Sequence, residues 1–517
     1  MERDFFRDLA RGPRPVRSQA VRARVIELRK QNYSVYDIRD ELERSGPARL
    51  GTTAIQVILR EAGFARLPRR AEEERPERPR PRADAVADVR SFRLSQGEFT
   101  THVGGVFLLL PLLARLDLDA LIRRCRFPGT RMIPATHAVR AALVLKLLGK
   151  TRRSHGMDLV FDPGVALAVG LNALPKATFL SQYSTRLGRQ ALVRLLGAWV
   201  DRLREAQLID ARSFNLDFHS ISYFGDDPFV EKHYVPRRSQ RRKAVLVFLA
   251  QDAERQVFCY SNATIRKGEE ADEVLRFIRF WENRYGERPR ELVFDSKLTT
   301  HANLGRLEQW KIRFLTLRPR SRGLQAEIQT LPASAWQTVE LDVPHRKFRT
   351  PRVVEQRIRL KGYPGPIRQL LIRDLGHEEP TILLTNDRTS TAKTLITRYA
   401  RRMLIENGLA DAVDFFHLDA LSSAVALNVD FDVLLTVLAS GIYRLFARNL
   451  RGFEHAQARQ IFRRFLDTSA RVQVTPSHVT VRLPRRAHNP ILIDAGLMKT
   501  TSPIPWWRGR ALRFEIT

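Results

Sequence analysis

Apolar and polar positions take up a strand-like pattern over residues 212–220, with Asp217 set in the middle of its apolar surroundings. Further apolar runs at 243–250, 256–261, 291–295 and 312–317 predict strands, and the second of these acids, Asp295, closes the run that begins at Glu291. Helical spacing at 269–281 and 303–310 separates the later runs. Three meander strands followed by alternating helix and strand predict a mixed sheet covered by helices. Such an order puts Asp217 and Asp295 on adjacent central strands.

The same reading divides the rest of the chain. Residues 92–208 are mainly helical in pattern, with apolar faces at 104–114, 135–148 and 190–200. Strong alternation at 336–343, 349–360, 367–373 and 381–385 predicts an inserted antiparallel β subdomain over 319–388, whose alternating arginines either line phosphate or form the wet face of a sheet. Beyond it, 399–406 reads as helix, and at about 100° per residue Tyr399, Arg402 and Glu406 share one arc. Residues 448–465 read as a basic helix, 472–481 and 490–493 as short strands, and the Trp506–Trp507 tail packs on the core or docks on a partner.

Near the N-terminus three short helices are predicted between residues 16 and 64. Ser34 and Asp37 form a capping box, and Thr52 or Thr53 caps the third helix before Gly63 stops it. The trihelical pattern resembles the helix-turn-helix domains of recombinases and regulators, which implies base or phosphate contact for Thr53, Gln56 and Arg60. A small helical dimerisation module is the alternative. Residues 67–90 are rich in proline, arginine and glutamate and cannot build a core, so they predict a stiffened linker. The expected architecture is multidomain α/β: residues 1–66 helix-turn-helix, 67–90 linker, 91–210 helical DNA-binding region, 211–318 and 389–450 the two parts of the sheet core, 319–388 the insertion, and 451–517 a C-terminal accessory segment.

Charge narrows the partners. The 517 residues carry 88 Lys plus Arg against 56 Asp plus Glu, a formal charge of +32, which makes a polyanion the economical partner. No run of 18 apolar residues offers a membrane span, the N-terminus lacks a signal-peptide order, and Cys125 and Cys259 stand far apart, so the expectation is a soluble, cytoplasmic, nucleoid-associated protein. Lys150, Arg152 and Arg153 are suited to phosphate contact, with a charged loop as the plain alternative.

Carboxylates at the ends of central strands are costly to bury without a compensating cation, so Asp217 and Asp295 invite a metal. With Glu406 they form an all-oxygen donor set suited to Mg²⁺, Mn²⁺ being a substitute. Two strand-borne aspartates followed by Tyr399, Arg402 and Glu406 resemble the DDE transposases of the insertion sequence 4 type, with their Tyr-x-x-Arg-x-x-x-Glu-x(6)-Lys signature; Val413 stands at the lysine position, and His219 or Lys297 is a substitute for that charge. The resemblance covers about 92–446. It implies a ribonuclease H-like core, catalysis by Asp217, Asp295 and Glu406 with two ions about 3.5–4 Å apart, and DNA contact by Arg402 and Tyr399. It further implies a homodimer acting on double-stranded DNA, joining terminal inverted repeats to target DNA by cut-and-paste cleavage and strand transfer. The alternatives are a catalytically inactive transposase-derived DNA-binding regulator and a structure-specific DNA nuclease.

Overall fold

A computed structural model of the chain describes residues 19–45, 50–65, 67, 96–130, 132–151, 156, 158–223, 230–235, 240–266, 268–295, 300–341, 348–376, 378–419 and 426–517. It divides into two units, residues 1–84 and 85–517.

The first unit holds α1 (Gln19–Lys30), α2 (Val35–Ser45) and α3 (Thr52–Glu61) around Val25, Leu28, Ile38, Leu42, Ile55, Ile58 and Leu59. The capping box forms as predicted: the Ser34 amide donates to Asp37 Oδ2 at 2.9 Å and the Asp37 amide to Ser34 Oγ at 3.2 Å. At α3 the cap is Gly51, and neither threonine hydroxyl caps the helix. Thr53, Gln56 and Arg60, spaced three and four apart, are exposed along α3.

The second unit begins with β1 (Gly97–Thr101) and a helical region: a 3₁₀ turn at Gly104–Leu109, then α4 (Leu110–Arg115), α5 (Leu118–Arg124), α6 (Ala135–Leu147), α7 (Pro163–Val169), α8 (Ala177–Tyr183) and α9 (Arg189–Glu205). The sheet elements follow as β2 (Ser213–Ser222), β3 (Lys232–Val235), β4 (Gln240–Asp252), β5 (Phe258–Asn262), α10 (Glu273–Tyr285), β6 (Glu291–Phe294), α11 (His301–Gln309) and β7 (Arg313–Leu317). Next come α12 (Arg322–Gln329), β8 (Gln337–Thr338), β9 (Arg352–Arg359), β10 (Pro366–Arg373) and β11 (Thr381–Thr385). The long helices α13 (Ala392–Asp414) and α14 (Ala426–Ala447) precede α15 (Ala458–Ile461), β12 (Ala470–Val474), β13 (His478–Leu483), α16 (Asn489–Asp494), β14 (Ser502–Pro503) and β15 (Ala511–Ile516).

The fold is mixed α/β. Its large sheet has the order β3-β4-β2-β6-β7-β11-β10-β9-β8, with β5 also paired to β4. β2, β6 and β7 run parallel, and every other pairing in this sheet is antiparallel. Side chains alternate across β2, so its two faces meet different helices. Phe214 packs edge-on against Phe277 and Trp281 of α10, with ring centroids 5.2 and 4.7 Å away. The opposite face of the sheet meets α13, where Leu395 and Ile396 pack with Val293, Leu315 and Leu370. α14 packs against α6, α9 and β5, tying the helical region to the sheet.

Three expectations give way to other arrangements. The strands of the predicted insertion do not make a sheet of their own, because β11 pairs antiparallel with β7 through Leu383↔Leu317 to Thr385↔Leu315 and so extends the central sheet. The basic stretch 448–465 is no single helix: Gly452 adopts φ 81°, and helical structure resumes only at Ala458, passing into a π turn over Phe462–Leu466. The stretch 490–493 is helical within α16, Pro490 lying in its first turn, where a missing N–H costs nothing.

The C-terminal strands belong to a second sheet of order β1-β12-β13-β15-β14, which joins them to the start of the helical region. The tryptophan tail packs on the core. Trp507 is fully buried and donates its indole N–H to Leu167 O at 2.8 Å, while Trp506 donates to Ala168 O at 3.0 Å. Both acceptors are carbonyls in the last turn of α7, and Leu167 O also accepts from the Gly170 amide at the helix cap.

Candidate active site

The parallel register brings the two aspartates together. Ser213, Phe214 and Asn215 pair with Glu291, Leu292 and Val293, a constant offset of 78 positions (291 − 213), and the same offset (295 − 217) relates Asp217 to Asp295 just beyond the last paired residues. Past Asn215, β2 stays paired with β4 alone, so the sheet opens on the β6 side, where the carboxylates lie. Asp217 and Asp295 line one cavity of about 400 Å³, together with His219, His233, Tyr234 and Glu270.

The helix α13 crosses above the same face. Arg398 fixes it: Nε donates to Glu291 Oε2 at 2.7 Å, Nη1 to Asn215 Oδ1 at 3.0 Å and Nη2 to Ser213 Oγ at 2.6 Å. One turn on, Arg402 is buried, with Nη2 3.2 Å from Asp217 Oδ1 and Nη1 3.5 Å from Glu406 Oε1. Its guanidinium lies 5.8 Å from the centre of the half-buried Tyr399 ring, and its Nε has no hydrogen-bond partner among the described residues. Tyr399, Arg402 and Glu406 therefore share an arc, as their spacing predicts, and Arg398 extends it by one turn.

Burial sets the charge state of the centre. It pushes the Asp217 carboxyl up to about 6, opposed by the Arg402 guanidinium and by a 2.9 Å hydrogen bond from the Phe218 amide, and reinforced by the nearby charges of Glu406 and Asp295. Burial likewise raises the Tyr399 phenol, against the pull of Arg402, and Asp295, Asp217 and Glu406 add to the rise. Arg402 thus meets Asp217 and Glu406, and burial outweighs its pull on Asp217. Among the described residues, no three His, Cys, Asp or Glu side chains are gathered closely enough to form a ready metal cage.

The turn into α13 is rigidly built. Asp387 Oδ1 accepts from the amides of Thr389 and Ser390 and from the Thr389 hydroxyl, and Oδ2 accepts from Ser390 Oγ at 2.6 Å. Arg368 donates to the Asp387 and Ser390 carbonyls, and Thr391 caps the helix through the Thr394 amide. These bonds outweigh burial and hold the Asp387 carboxyl down at about 2. Near the cavity, the His219 ring pairs with Asp419 at 2.7 Å.

Other residues singled out by sequence stand apart or outside the described chain. Val413 is buried in the main core, where a lysine would have to leave water. Lys150 is half-buried, 3.9 Å from Asp158. Arg152, Arg153 and Lys297 lie outside the described residues. Arg398 is a residue of the site that the sequence reading does not single out, its partners lying on β2 and β6 far along the chain. No helix among the described residues is long and apolar enough to cross a membrane.

No protein-family model matches the chain, and no curated protein sequence matches it. Among solved structures it is similar to a piggyBac transposase synaptic complex with hairpin DNA, determined by cryo-electron microscopy, at 11% identity and a TM-score of 0.37, covering 74% of this chain and 79% of that one. A likeness that loose leaves the site itself to carry the functional argument.

Proposed function

We propose that the chain is a DNA transposase of the DDE, insertion sequence 4 type, with a ribonuclease H-like core that cleaves transposon ends and joins them to target DNA. The observation that carries this reading is the convergence of Asp217 and Asp295, on parallel strands, beneath a helix presenting Tyr399, Arg402 and Glu406. The exposed stripe Thr53, Gln56 and Arg60 and the charge of +32 fit the binding of double-stranded DNA, and a homodimer on paired inverted repeats is part of the same reading.

Magnesium, or manganese in its place, suits the donors present. Asp217 and Asp295 offer hard carboxylate oxygens to one cavity, where burial disfavours the bare Asp217 carboxylate and a cation would offset that cost. Asp217, Asp295 and the half-exposed Glu406 would hold two divalent ions, which supply activation of water or a 3′-hydroxyl and charge stabilisation at the scissile phosphate. The protein's own groups do the rest. Arg402, with one N–H unspent, receives a phosphate oxygen, and Tyr399 sits beside it to orient the terminal nucleotide. α10 and α13, packed on opposite faces of the sheet, keep β2 and β6 in register while the substrate binds.

Glu406→Gln tests the assignment. It keeps the side-chain volume and removes one oxygen-ligand charge, so Mg²⁺-dependent cleavage and joining of labelled end DNA should fall at least about 100-fold. Gel-shift affinity should stay near its original value, because the distributed arginines dominate attraction to DNA. Undiminished cleavage by the folded variant rejects Glu406 as the third carboxylate. Asp419, paired with His219 beside the cavity, is then the acid to test; Asp387 is engaged in its turn.

A second reading has its own observation. Val413 is part of the apolar core at the lysine position, and Arg402 already spans Asp217 and Glu406, which fits a transposase-derived regulator that binds DNA without cutting it. Metal-dependent nicking of end-bearing DNA separates the two, and cleavage without joining identifies a nuclease.

A further inference from the structure

Beside the catalytic cavity lies a second, larger opening. The turn ahead of α10 separates them: Gly268, Glu270 and Ala271 line the cavity of Asp217 and Asp295, whereas Arg266 and Glu269 line a cleft of about 620 Å³ on the other side. This cleft runs between the N-terminal end of α9, the end of β5 and the outer face of α10. Arg189, Arg266, Arg276 and Arg279 surround it, and the half-buried rings of Tyr260 and Phe280, with centroids 5.0 Å apart, line it as well.

The carboxylates here are already matched. Arg276 takes both Glu269, at 2.6 Å, and the fully buried Glu273, at 3.2 Å. Glu273 also accepts from the Tyr260 hydroxyl at 2.9 Å and from Asn262 Nδ2 at 2.8 Å, so Tyr260 is fixed by its polar end. Arg189 donates to Asn262 Oδ1 at 3.2 Å and faces Asp430 in the adjoining hollow. That leaves Arg266 and Arg279, both exposed and without an ion pair among the described residues. An excess of guanidinium, anchored aromatic rings and side-chain amides is the composition that binds unpaired nucleotides: phosphate meets arginine, and a base meets ring or amide. A duplex offers no free base face to such an opening.

We propose that this cleft binds a short unpaired stretch of DNA strand, one or a few nucleotides long, next to the reacting phosphate. Arg266 and Arg279 hold its phosphates, and Tyr260 and Phe280 receive a base. The proposal rests on the DNA-processing reading of the neighbouring cavity, and it gives the strand that leaves the cavity a place to run across the 268–271 turn.

The test needs no chemistry at the active site, so it is done with full-length protein in chelator. A single-stranded oligonucleotide of about ten residues carrying 5-iodouracil is cross-linked by ultraviolet light, and the attached peptides are mapped by mass spectrometry. Cross-links at Tyr260 or Phe280 are expected. The double variant R266E/R279E, altered at two exposed positions and checked by its melting temperature, should lower their yield at least about tenfold while cross-links elsewhere persist. Unlabelled duplex of the same sequence should compete poorly at these two positions. Absence of cross-links at both rings, an unchanged yield in the double variant, or equal competition by duplex would each overturn the proposal. Failure of the transposase reading shows separately, as DNA left uncut in Mg²⁺ by a protein that still cross-links here.

Discussion

Arg398 and Arg402 sit one turn apart on the same helix and point at the same strand, yet they are spent in opposite ways. Every nitrogen of the Arg398 guanidinium has an acceptor, divided between β2 and β6, in bonds of 2.6–3.0 Å. Arg402 makes two longer ion contacts, at 3.2 and 3.5 Å, and keeps a buried N–H unpaired. A saturated arginine locks helix to sheet; an unsaturated one leaves room for another oxygen. The contrast marks where scaffold ends and site begins.

Substituting the two arginines should therefore damage different things, and the larger effect belongs to chemistry. Arg402→Ala should lower cleavage of end DNA by about 10²–10³-fold and weaken end binding, the scale of losing a positioned charge at a reacting phosphate. Its melting temperature should fall less than that of Arg398→Ala, because Asp217, already pushed up by burial, takes up a proton more readily once the guanidinium is gone. Arg398→Ala should instead cost about 2–3 kcal/mol of stability, since it removes the donor to Asn215 Oδ1 and leaves the Glu291 carboxylate with the Ser213 hydroxyl in place of a cation. At a temperature where this variant is fully folded, its cleavage per molecule should return to within a few-fold of the parent's. Thermal melts paired with single-turnover cleavage read both outcomes, and a reversed pattern would dissolve the distinction.

The same contrast explains what could be read from the chain. Tyr399, Arg402 and Glu406 were legible because helical period fixes which residues share an arc, and Asp217 and Asp295 because each lies on a short apolar run. The clamp at Arg398 was not. Its three partners lie 107 to 185 positions away, and in a chain with 88 basic residues one more arginine carries no signal until β2 and β6 are known to be neighbours. Alternation likewise announced β9, β10 and β11, but not that β11 would pair with β7, because period two specifies a face and not a neighbour. Around 448–465 the apolar spacing looked helical, while the left-handed Gly452 and the π turn at Phe462–Leu466 shift the register within that stretch.

A milder effect extends the comparison to the turn that aims both arginines. Asp387 touches neither substrate groups nor the cavity; it gathers the Thr389 and Ser390 donors and leads into the Thr391 cap, so its worth should appear in stability. Those bonds hold its carboxyl at about 2, below an ordinary value near 3.8, and a depressed acid stabilises the fold at pH above the unfolded value and loses that contribution as pH falls toward the folded one. At neutral pH the stabilisation is at most about 2 kcal/mol, and solvent screening at the turn reduces it. Asp387→Asn keeps one acceptor oxygen and the turn's shape but not the charge, so at pH 7 it should be less stable than the parent by up to that amount. The gap should shrink to roughly half by pH 3, where the unfolded chain binds a proton at this carboxyl and the folded parent still largely does not. Denaturant melts of both proteins between pH 3 and 7 measure it directly. A gap that stays constant across that range would show that Asp387 acts by shape alone, and a gap that widens toward acid would mean that its carboxyl is not depressed in the folded protein.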